Sequence, residues 1–461
     1  MRLTVIGCGY LGAVHAAAMA DLGHRVLGVE TDPARLERLA RGEAPFYEPG
    51  LDELLRRGAR TGRLRYTAAL DGAAARADVH FLAVGTPQSP SGRGADLSHL
   101  WRAVDSLAAT LPPRERLDEL PLVVGKSTVP VGTAQRVADR LAGRALVVWN
   151  PEFLREGLAV SDTLRPDRIV YGLPAGPAGA ERAREVLDEV YAPILEADVP
   201  RLTMDYQTAE LVKTAANAFL ATKISFINAM SALCDAAGAD VAVLADAIGR
   251  DARIGHRFLR AGIGFGGGCL PKDLRGLEQR AAELGADGLA SFLDRVDAIN
   301  RGQRDRVTQM ALEALEPGPA GRAVTILGIT FKPDSDDLRD SPVLEVALRL
   351  RDAGAVVTVH DPRGLAGLSR RHPDLRTQPD ALRALEGAEL VILGTEWKEL
   401  TDLDPEAAAA RAARPVLIDA RNALTPSRWT AAGWDYRGIG RASEPRRSAP
   451  RCRELAGTMV G

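Results

Sequence analysis

The sequence predicts an α/β protein with a doubly wound parallel sheet at each end and a helical stretch between. Three observations carry this expectation. Short apolar runs alternate with helical segments in the N-terminal part, the same alternation returns after Pro317, and residues 205–237 between them contain neither Gly nor Pro. Strands covered by helices on both faces read as unbroken apolar runs, which is what a parallel sheet requires.

The N-terminal strand candidates are 3–6, 26–29, 79–84, 122–124 and 146–148, separated by helical segments such as 13–22 and 97–107. One long helix is expected over 205–237, and further helix to about residue 315, interrupted by a glycine-rich loop at 262–268. That strand-poor middle suits a spacer helix and a subunit-contact surface. Pro317-Gly318-Pro319 marks a boundary. Strand candidates then return at 324–327, 355–359, 390–393 and 415–418. The resulting division is 1–204, 205–316 and 317–441, with an Arg-, Ser- and Pro-rich tail at 442–461 expected to fray. The two ends share an outline: Gly7 leads by a helix to a strand ending at Glu30, and Gly328 leads by a helix to one ending at His360 and Asp361.

Composition narrows the function classes. The 461 residues are too many for one ordinary core, and 46% are apolar, enough for two or three. A net charge of −2 supplies no broad basic field for nucleic acid or an anionic membrane. The four cysteines (Cys8, Cys234, Cys269, Cys452) show no metal-like or CxxC spacing, so no metal site and a reducing, cytoplasmic setting are expected. Residues 3–20 carry no charged side chain, yet Gly7, Gly9 and Gly12 interrupt any leader-like helix and suit a strand-to-helix turn. No apolar run approaches a membrane span.

Gly7-Cys8-Gly9-Tyr10-Leu11-Gly12 follows a strand and opens a helix. The first glycine allows the turn, the second lets backbone approach a pyrophosphate, and the third lets helix and strand pack. The free N–H groups of the helix start then face the phosphates. Glu30 ends the next strand, where a carboxylate accepts ribose hydroxyls and repels a 2′-phosphate, favouring NAD over NADP. Arg35 complicates that preference. Only this end carries the full glycine set, so only this end is expected to grip a dinucleotide.

Gly264-Phe265-Gly266-Gly267-Gly268-Cys269-Leu270-Pro271-Lys272-Asp273 places a cysteine at a helix start beside a lysine. Both neighbours favour thiolate and nucleophilicity; a buried structural cysteine is the alternative. Glu210, Lys213 and Asn217 share one helix face, able to stabilise an oxyanion or simply to meet solvent. Glu152 and Glu156 offer a general base with an orienting partner, or a surface pair. Residues 126–133 follow a strand, where such sheets build sites. These features amount to an NAD enzyme with a candidate thiol and leave its substrate open.

In ordered motifs the chain resembles the UDP-glucose/GDP-mannose dehydrogenase family from residue 1 to about 441. The motifs are YEPGLDELL at 47–55, VGTP at 84–87, STVPVGT at 127–133, NPEFLREG at 150–157, PDRIV at 166–170, the Lys213/Asn217 helix, GFGGGCLPKD at 264–273 and FKPDSDDLRDSP at 331–342. The resemblance implies two Rossmann-like domains joined by a long central helix with a helical dimerisation region. It implies oxidation of a nucleotide-sugar C6 alcohol to the uronate by two NAD+ in succession, through a thiohemiacetal and then a thioester on Cys269. The implied roles are oxyanion stabilisation for Lys213 with Asn217, water activation for Asp273 and Thr128, and thioester hydrolysis for Glu152 with Glu156 close by. Substrate contacts are implied for Glu152, Phe153, Leu154, Lys213, Asn217, Phe258, Phe265, Gly266, Lys332 and Arg421, with Arg253 reaching a neighbouring subunit's substrate. Lys332 and Arg421 suit a diphosphate. Cofactor contacts are implied for Gly7, Gly9, Tyr10, Leu11, Gly12, Glu30, Arg35, Thr86, Thr128 and Lys272. Gly268 stands where many members have serine. A UDP-sugar, UDP-glucose first, is the expected substrate, with GDP-mannose and UDP-N-acetylated hexosamines as alternatives. A two-electron hydroxyacid-type dehydrogenase and a non-catalytic nucleotide-sugar sensor are the rivals from other classes.

Overall fold

Two sheets organise the chain in the computed structural model, which describes residues 1–70, 72, 76–89 and 94–441. The first contains β1 (Arg2–Ile6), β2 (Arg25–Val29), β3 (Leu64–Thr67), β4 (Val79–Leu82), β5 (Leu122–Gly125), β6 (Leu146–Trp149), β7 (Ile169–Leu173) and β8 (Arg201–Asp205). Their order is β3-β2-β1-β4-β5-β6-β7-β8. The second contains β9 (Ala323–Leu327), β10 (Val356–His360), β11 (Arg376–Thr377), β12 (Leu390–Leu393), β13 (Val416–Asp419) and β14 (Asp435–Gly438), ordered β11-β10-β9-β12-β13-β14. In each, the first strand lies between the second and a later one, Leu3 facing both Val26 and Val79. That reversal opens a crevice at the strand C-termini, where ligands of such sheets bind.

Alternation across each strand supplies two cores per sheet. Leu3, Val5 and Phe81 pack on one face while Ile6 and Leu82 pack on the other. In the second sheet Ile326 and Ile392 face one way, Leu327 and Leu393 the other. The apolar runs visible in the sequence are thus strands buried twice over. One correction concerns direction: β6 and β7 pair antiparallel, at Trp149 and Gly172. Residues 150–168 leave β6 as a loop and a short helix (Ala159–Leu164) and turn back into the sheet at the end where β6 finished, without a crossover.

The central helix runs Tyr206–Ala237. Asp205 caps its first turn by accepting from the Thr208 N–H, and Gly238, at φ 71°, ends it in the left-handed region. Helices Leu270–Glu283 and Asp287–Ala314 pack against it around Ala218, Ala221, Leu274, Leu277, Leu293 and Val296. Pro317-Gly318-Pro319 lies in the turn leading to β9. No helix among the described residues is long and apolar enough to cross a membrane. The tail expected at 442–461, with Cys452, lies outside the described residues.

Candidate active site

Gly7 takes φ 87° and donates its N–H to the Val29 carbonyl (2.9 Å), turning β1 into the helix Tyr10–Asp21. A Cβ on Gly12 would stand 1.9 Å from the Gly7 carbonyl oxygen, whereas one on Gly9 would meet nothing within 4 Å. Gly12 is therefore a packing requirement. Gly9 leaves the space above the helix start that a pyrophosphate needs. Glu30, buried at the end of β2, accepts from the Asp32 N–H (2.9 Å) and the Arg35 guanidinium (3.1 Å). Arg35 is thereby drawn towards the carboxylate, which answers the apparent conflict between these two side chains. These residues fit a dinucleotide.

The glycine loop and the thiol share one cleft. Its walls include Gly9, Tyr10, Leu11, the Val84–Pro87 turn, Thr128, Glu152, Glu156 and Lys272, with Cys269 opening into it. Thr86 Oγ1 donates to the Thr128 carbonyl (2.7 Å), joining the turns after β4 and β5.

Around the thiol, charges are closely paired. Lys213 Nζ lies 3.0 Å from Glu152 Oε1, with both side chains largely buried. Burial alone would lower the Lys213 ammonium, but Glu152, Asp273 and Cys269 together hold it above its ordinary value. Glu152 Oε2 accepts from the Leu154 N–H (2.7 Å), which fixes the carboxylate. Asn217 Nδ2 donates to Asp273 Oδ2 (2.7 Å), and Asp273 Oδ1 pairs with Lys272 Nζ (2.8 Å). Two paired sets, Lys213 with Glu152 and Asn217 with Asp273, thus surround Cys269, whose thiol feels Glu152, Lys213 and Asp273.

The thiol itself corrects an expectation. Cys269 caps the helix Leu270–Glu283 with Pro271 in its first turn, as the sequence implies. Its pKa is nevertheless pushed up to about 12, by burial first and then by Glu152, with Lys213 the opposing influence. The sulfur faces the cleft, yet its surroundings are crowded and carboxylate-rich. Lys272 Nζ is engaged by Asp273 (2.8 Å), whose own charge raises the thiol further. A raised thiol suits proton removal as the sulfur attacks, for which Glu152 and Asp273 are the neighbouring acceptors.

Two asparagines absent from the sequence reading fix the cysteine loop. Asn228, on the central helix, accepts from the Gly262 N–H (2.8 Å). Asn300, on helix Asp287–Ala314, accepts from the Phe265 N–H (2.8 Å) and donates to the Phe265 carbonyl (3.0 Å). Glu48, within the YEPG segment, accepts from the Gly157 and Ala159 N–H groups (2.7 and 2.8 Å) and from Tyr10, locking the NPEFLREG segment to the glycine-loop helix. Such contacts span distant residues and leave no local pattern to read. Glu210 accepts from the Gly132 and Ala134 N–H groups (2.7 and 2.6 Å), and burial raises its pKa to about 7. It clamps a loop and does not enter the cleft.

The remaining candidates divide. Glu156 lies in the cleft wall, accepting from Ser335 (3.1 Å) and Arg339 (3.2 Å), with its pKa raised to about 7 by burial and then by Asp337. The Phe153 ring stacks under the Arg168 guanidinium (3.9 Å), and Leu154 reaches the cleft. Phe265 turns its ring into the helical core, so only its backbone faces the loop. Gly266 packs on Asp340, whose carbonyl oxygen a Cβ would approach to 2.2 Å. Lys332 donates to the Glu156 carbonyl. Arg421 departs from its expected freedom to fork a diphosphate: its Nε, Nη1 and Nη2 donate to the carbonyls of Gly394, Gly264 and Phe331 (2.7, 3.0 and 2.9 Å). A largely buried guanidinium takes what donors and acceptors its loops supply. Arg253 and Phe258 lie apart, Arg253 exposed and paired with Asp251 (2.6 Å), Phe258 half-exposed at φ 64°.

Comparison with known proteins settles the lineage. The UDP-glucose/GDP-mannose dehydrogenase family matches by its NAD binding domain over residues 1–195, its central domain over 207–302 and its UDP binding domain over 325–426. The chain belongs to this family. It is 42% identical over 456 residues to a UDP-glucose 6-dehydrogenase of Pseudomonas aeruginosa, covering 96% of this chain and 98% of that one. The corresponding enzyme of Rhizobium meliloti is 40% identical, covering 96% and 100%. A solved UDP-glucose dehydrogenase from Pyrobaculum islandicum superposes with a TM-score of 0.84 at 38% identity, covering 96% of this chain and 98% of that one. The family's NAD binding domain coincides with the glycine cradle, and NAD is the cofactor these residues fit.

Proposed function

We propose that the chain is an NAD-dependent UDP-glucose 6-dehydrogenase, oxidising the C6 alcohol to the uronate. The observation that carries this reading is the single cleft shared by the dinucleotide glycine loop and Cys269, backed by Lys213, Asn217, Asp273 and Glu152. The relatives that bear the name UDP-glucose 6-dehydrogenase span nearly the whole chain.

NAD+, when bound, accepts a hydride in each of two successive oxidations. Lys213, kept charged by Glu152, stabilises the alkoxide of the C6 oxygen while Asn217 orients beside it. Cys269 sulfur then bonds to the aldehyde carbon, its proton passing to the adjoining carboxylates, Glu152 or Asp273. The thiohemiacetal gives a second hydride and becomes a thioester. Thr128 and Asp273 hold the attacking water, and Glu152 takes its proton, with Glu156 as the neighbouring acid. The C–S bond breaks, releasing uronate and thiol. Leu154 and the backbone of Phe265 and Gly266 frame the sugar, with Lys332 towards the diphosphate end, while Arg421 acts by fixing the loops around Gly264 and Phe331.

The assembly is a homodimer or a higher homo-oligomer, a reading supported by Phe219, Phe226 and Leu233, all exposed and seven residues apart on the central helix. Arg253 is assigned to the partner's substrate. A cytoplasmic location is consistent with Cys8, Cys234 and Cys269 all being free.

The test is NADH formed against a panel of UDP- and GDP-sugars, with the acid product identified by mass. Two NADH per UDP-glucose are expected; one per sugar would overturn the four-electron reading. Cys269→Ser should lower uronate formation at least ~1,000-fold with NAD affinity nearly unchanged.

A further inference from the structure

Behind the cleft, on the far side of residues 152–154, lies a second cavity of about 80 Å³. Glu152, Leu11 and Leu154 line both spaces. We propose that this cavity carries away the protons that the oxidation releases, with Lys126 taking them from Glu152 and passing them to water. The proposal rests on the dehydrogenase reading above, whose chemistry demands such a path. One alcohol, one water and two NAD+ give one carboxylate, two NADH and three protons, while cofactor and sugar fill the cleft that would otherwise drain them.

The cavity is built for the task. Its mouth holds Arg155 and Asp167, both exposed, and its floor holds His15 and Lys126, both buried. Its volume admits a few water molecules, and its lining supplies the polar partners they need. Lys126 Nζ donates to Asn150 Oδ1 (2.8 Å) and reaches the Tyr191 hydroxyl (3.4 Å), which itself donates to Asn150 Oδ1 (2.7 Å). Asn150 precedes Pro151 and Glu152, so this network also positions the carboxylate shared with the cleft. His15 Nε2 is buried without a hydrogen-bond partner, an atom that a water in the cavity would satisfy.

The titratable groups around Lys126 are Tyr191, His15 and Glu152, with Asp162, Asp167, Arg155 and Arg168 towards the mouth. Burial lowers the Lys126 ammonium to about 8, against the pull of Glu152. Burial and then Lys126 keep His15 neutral. In each transfer a protonated Glu152 gives its proton, through cavity water, to the Lys126 amine, leaving carboxylate and ammonium. The ammonium then releases the proton to water at the mouth and returns to amine.

The experiment measures single-turnover rate against pH, from 6 to 9.5, with UDP-glucose and saturating NAD+, for the native protein, Lys126→Arg and Lys126→Ala. The native rate should rise as pH passes about 8 and show a solvent deuterium effect. Arginine keeps the charge and cannot deprotonate, so Lys126→Arg should lose that limb and about tenfold in rate at pH 8, with both KM values within about twofold. Methylamine should restore part of the rate to Lys126→Ala. An unchanged profile in Lys126→Arg overturns the proposal, as does a loss confined to KM and Tm. Should neither variant fold, a native rate flat from pH 7 to 9 overturns it. Two NADH per sugar from the native protein shows the parent reading to hold, so an unaltered Lys126→Arg profile then fails the proton route alone.

Discussion

The two sheets begin with the same turn and use it differently. Gly7 and Gly328 sit at φ 87° and 84°, and each donates its N–H to the carbonyl of the last residue in the next strand, Val29 and His360. In the first sheet the helix starts at once, at Tyr10, and Glu30 beyond β2 accepts one backbone N–H and one guanidinium. In the second the helix waits until Pro342, and Asp361 is consumed by its own surroundings. Its Oδ2 accepts from the Ile329 and Thr330 N–H groups, its Oδ1 from those of Arg363 and Gly364. A glycine turn and a strand-end acid therefore do not make a dinucleotide site. The helix must follow directly, and the acid must keep lone pairs to offer. In the second sheet the long loop after Gly328 instead reaches back to the first domain, where Lys332, Ser335 and Arg339 all contact Glu156.

Substitution at the glycines of the first turn should have the largest effect. Gly12→Ala drives a Cβ into the Gly7 carbonyl and should cost about 4 kcal/mol or more of stability together with NAD binding, read by denaturant melts and calorimetry. Gly9→Ala adds a Cβ that meets no atom within 4 Å, so its melting curve should be nearly native while NAD affinity falls at least about tenfold; an unaffected affinity would remove the pyrophosphate assignment. The acids should separate next. Asp361→Asn breaks a buried network and should cost about 3 kcal/mol with native NAD affinity per folded molecule. Glu30→Gln should leave stability alone, weaken NAD about tenfold and narrow its preference over NADP. If both acids behaved alike, the contrast would fail.

The remaining test lies at the seam between the domains and is read as a slope with pH. Glu156 has a folded pKa near 7, above the ordinary carboxyl value of 4.5, so the folded state binds its proton more tightly than the unfolded state does. Stability from this group is fully present below about 4.5 and is lost as pH rises to about 7, at up to ~1.4 kcal/mol per pH unit. Glu156→Gln should therefore gain in Tm relative to the native protein between pH 5 and 8. A constant difference across that range would contradict the assignment.

What could be read in the sequence follows the same logic. Central strands such as β1, β4, β5 and β12 are apolar because helices cover both faces, and they were open to reading. β7 carries the same signal in Ile169-Val170-Tyr171, but nothing in it tells direction. The edge strands β3, β8, β11 and β14 are largely polar and partly exposed, with β8 nearly bare, so they lack a pattern. Within the site, the glycine fingerprint and Cys269 stand out because backbone conformation and chemistry restrict them locally. Arg421 misleads because charge alone does not reveal that three loops claim its nitrogens. Glu48, Asn228 and Asn300 escape because their partners are distant N–H groups.

Glu210 carries one further implication. Its carboxylate joins the helix bearing Lys213 and Asn217 to the loop that follows Thr128. A twist or slide of that helix must drag the loop along, so the oxyanion donors and the cofactor-side threonine move as one body.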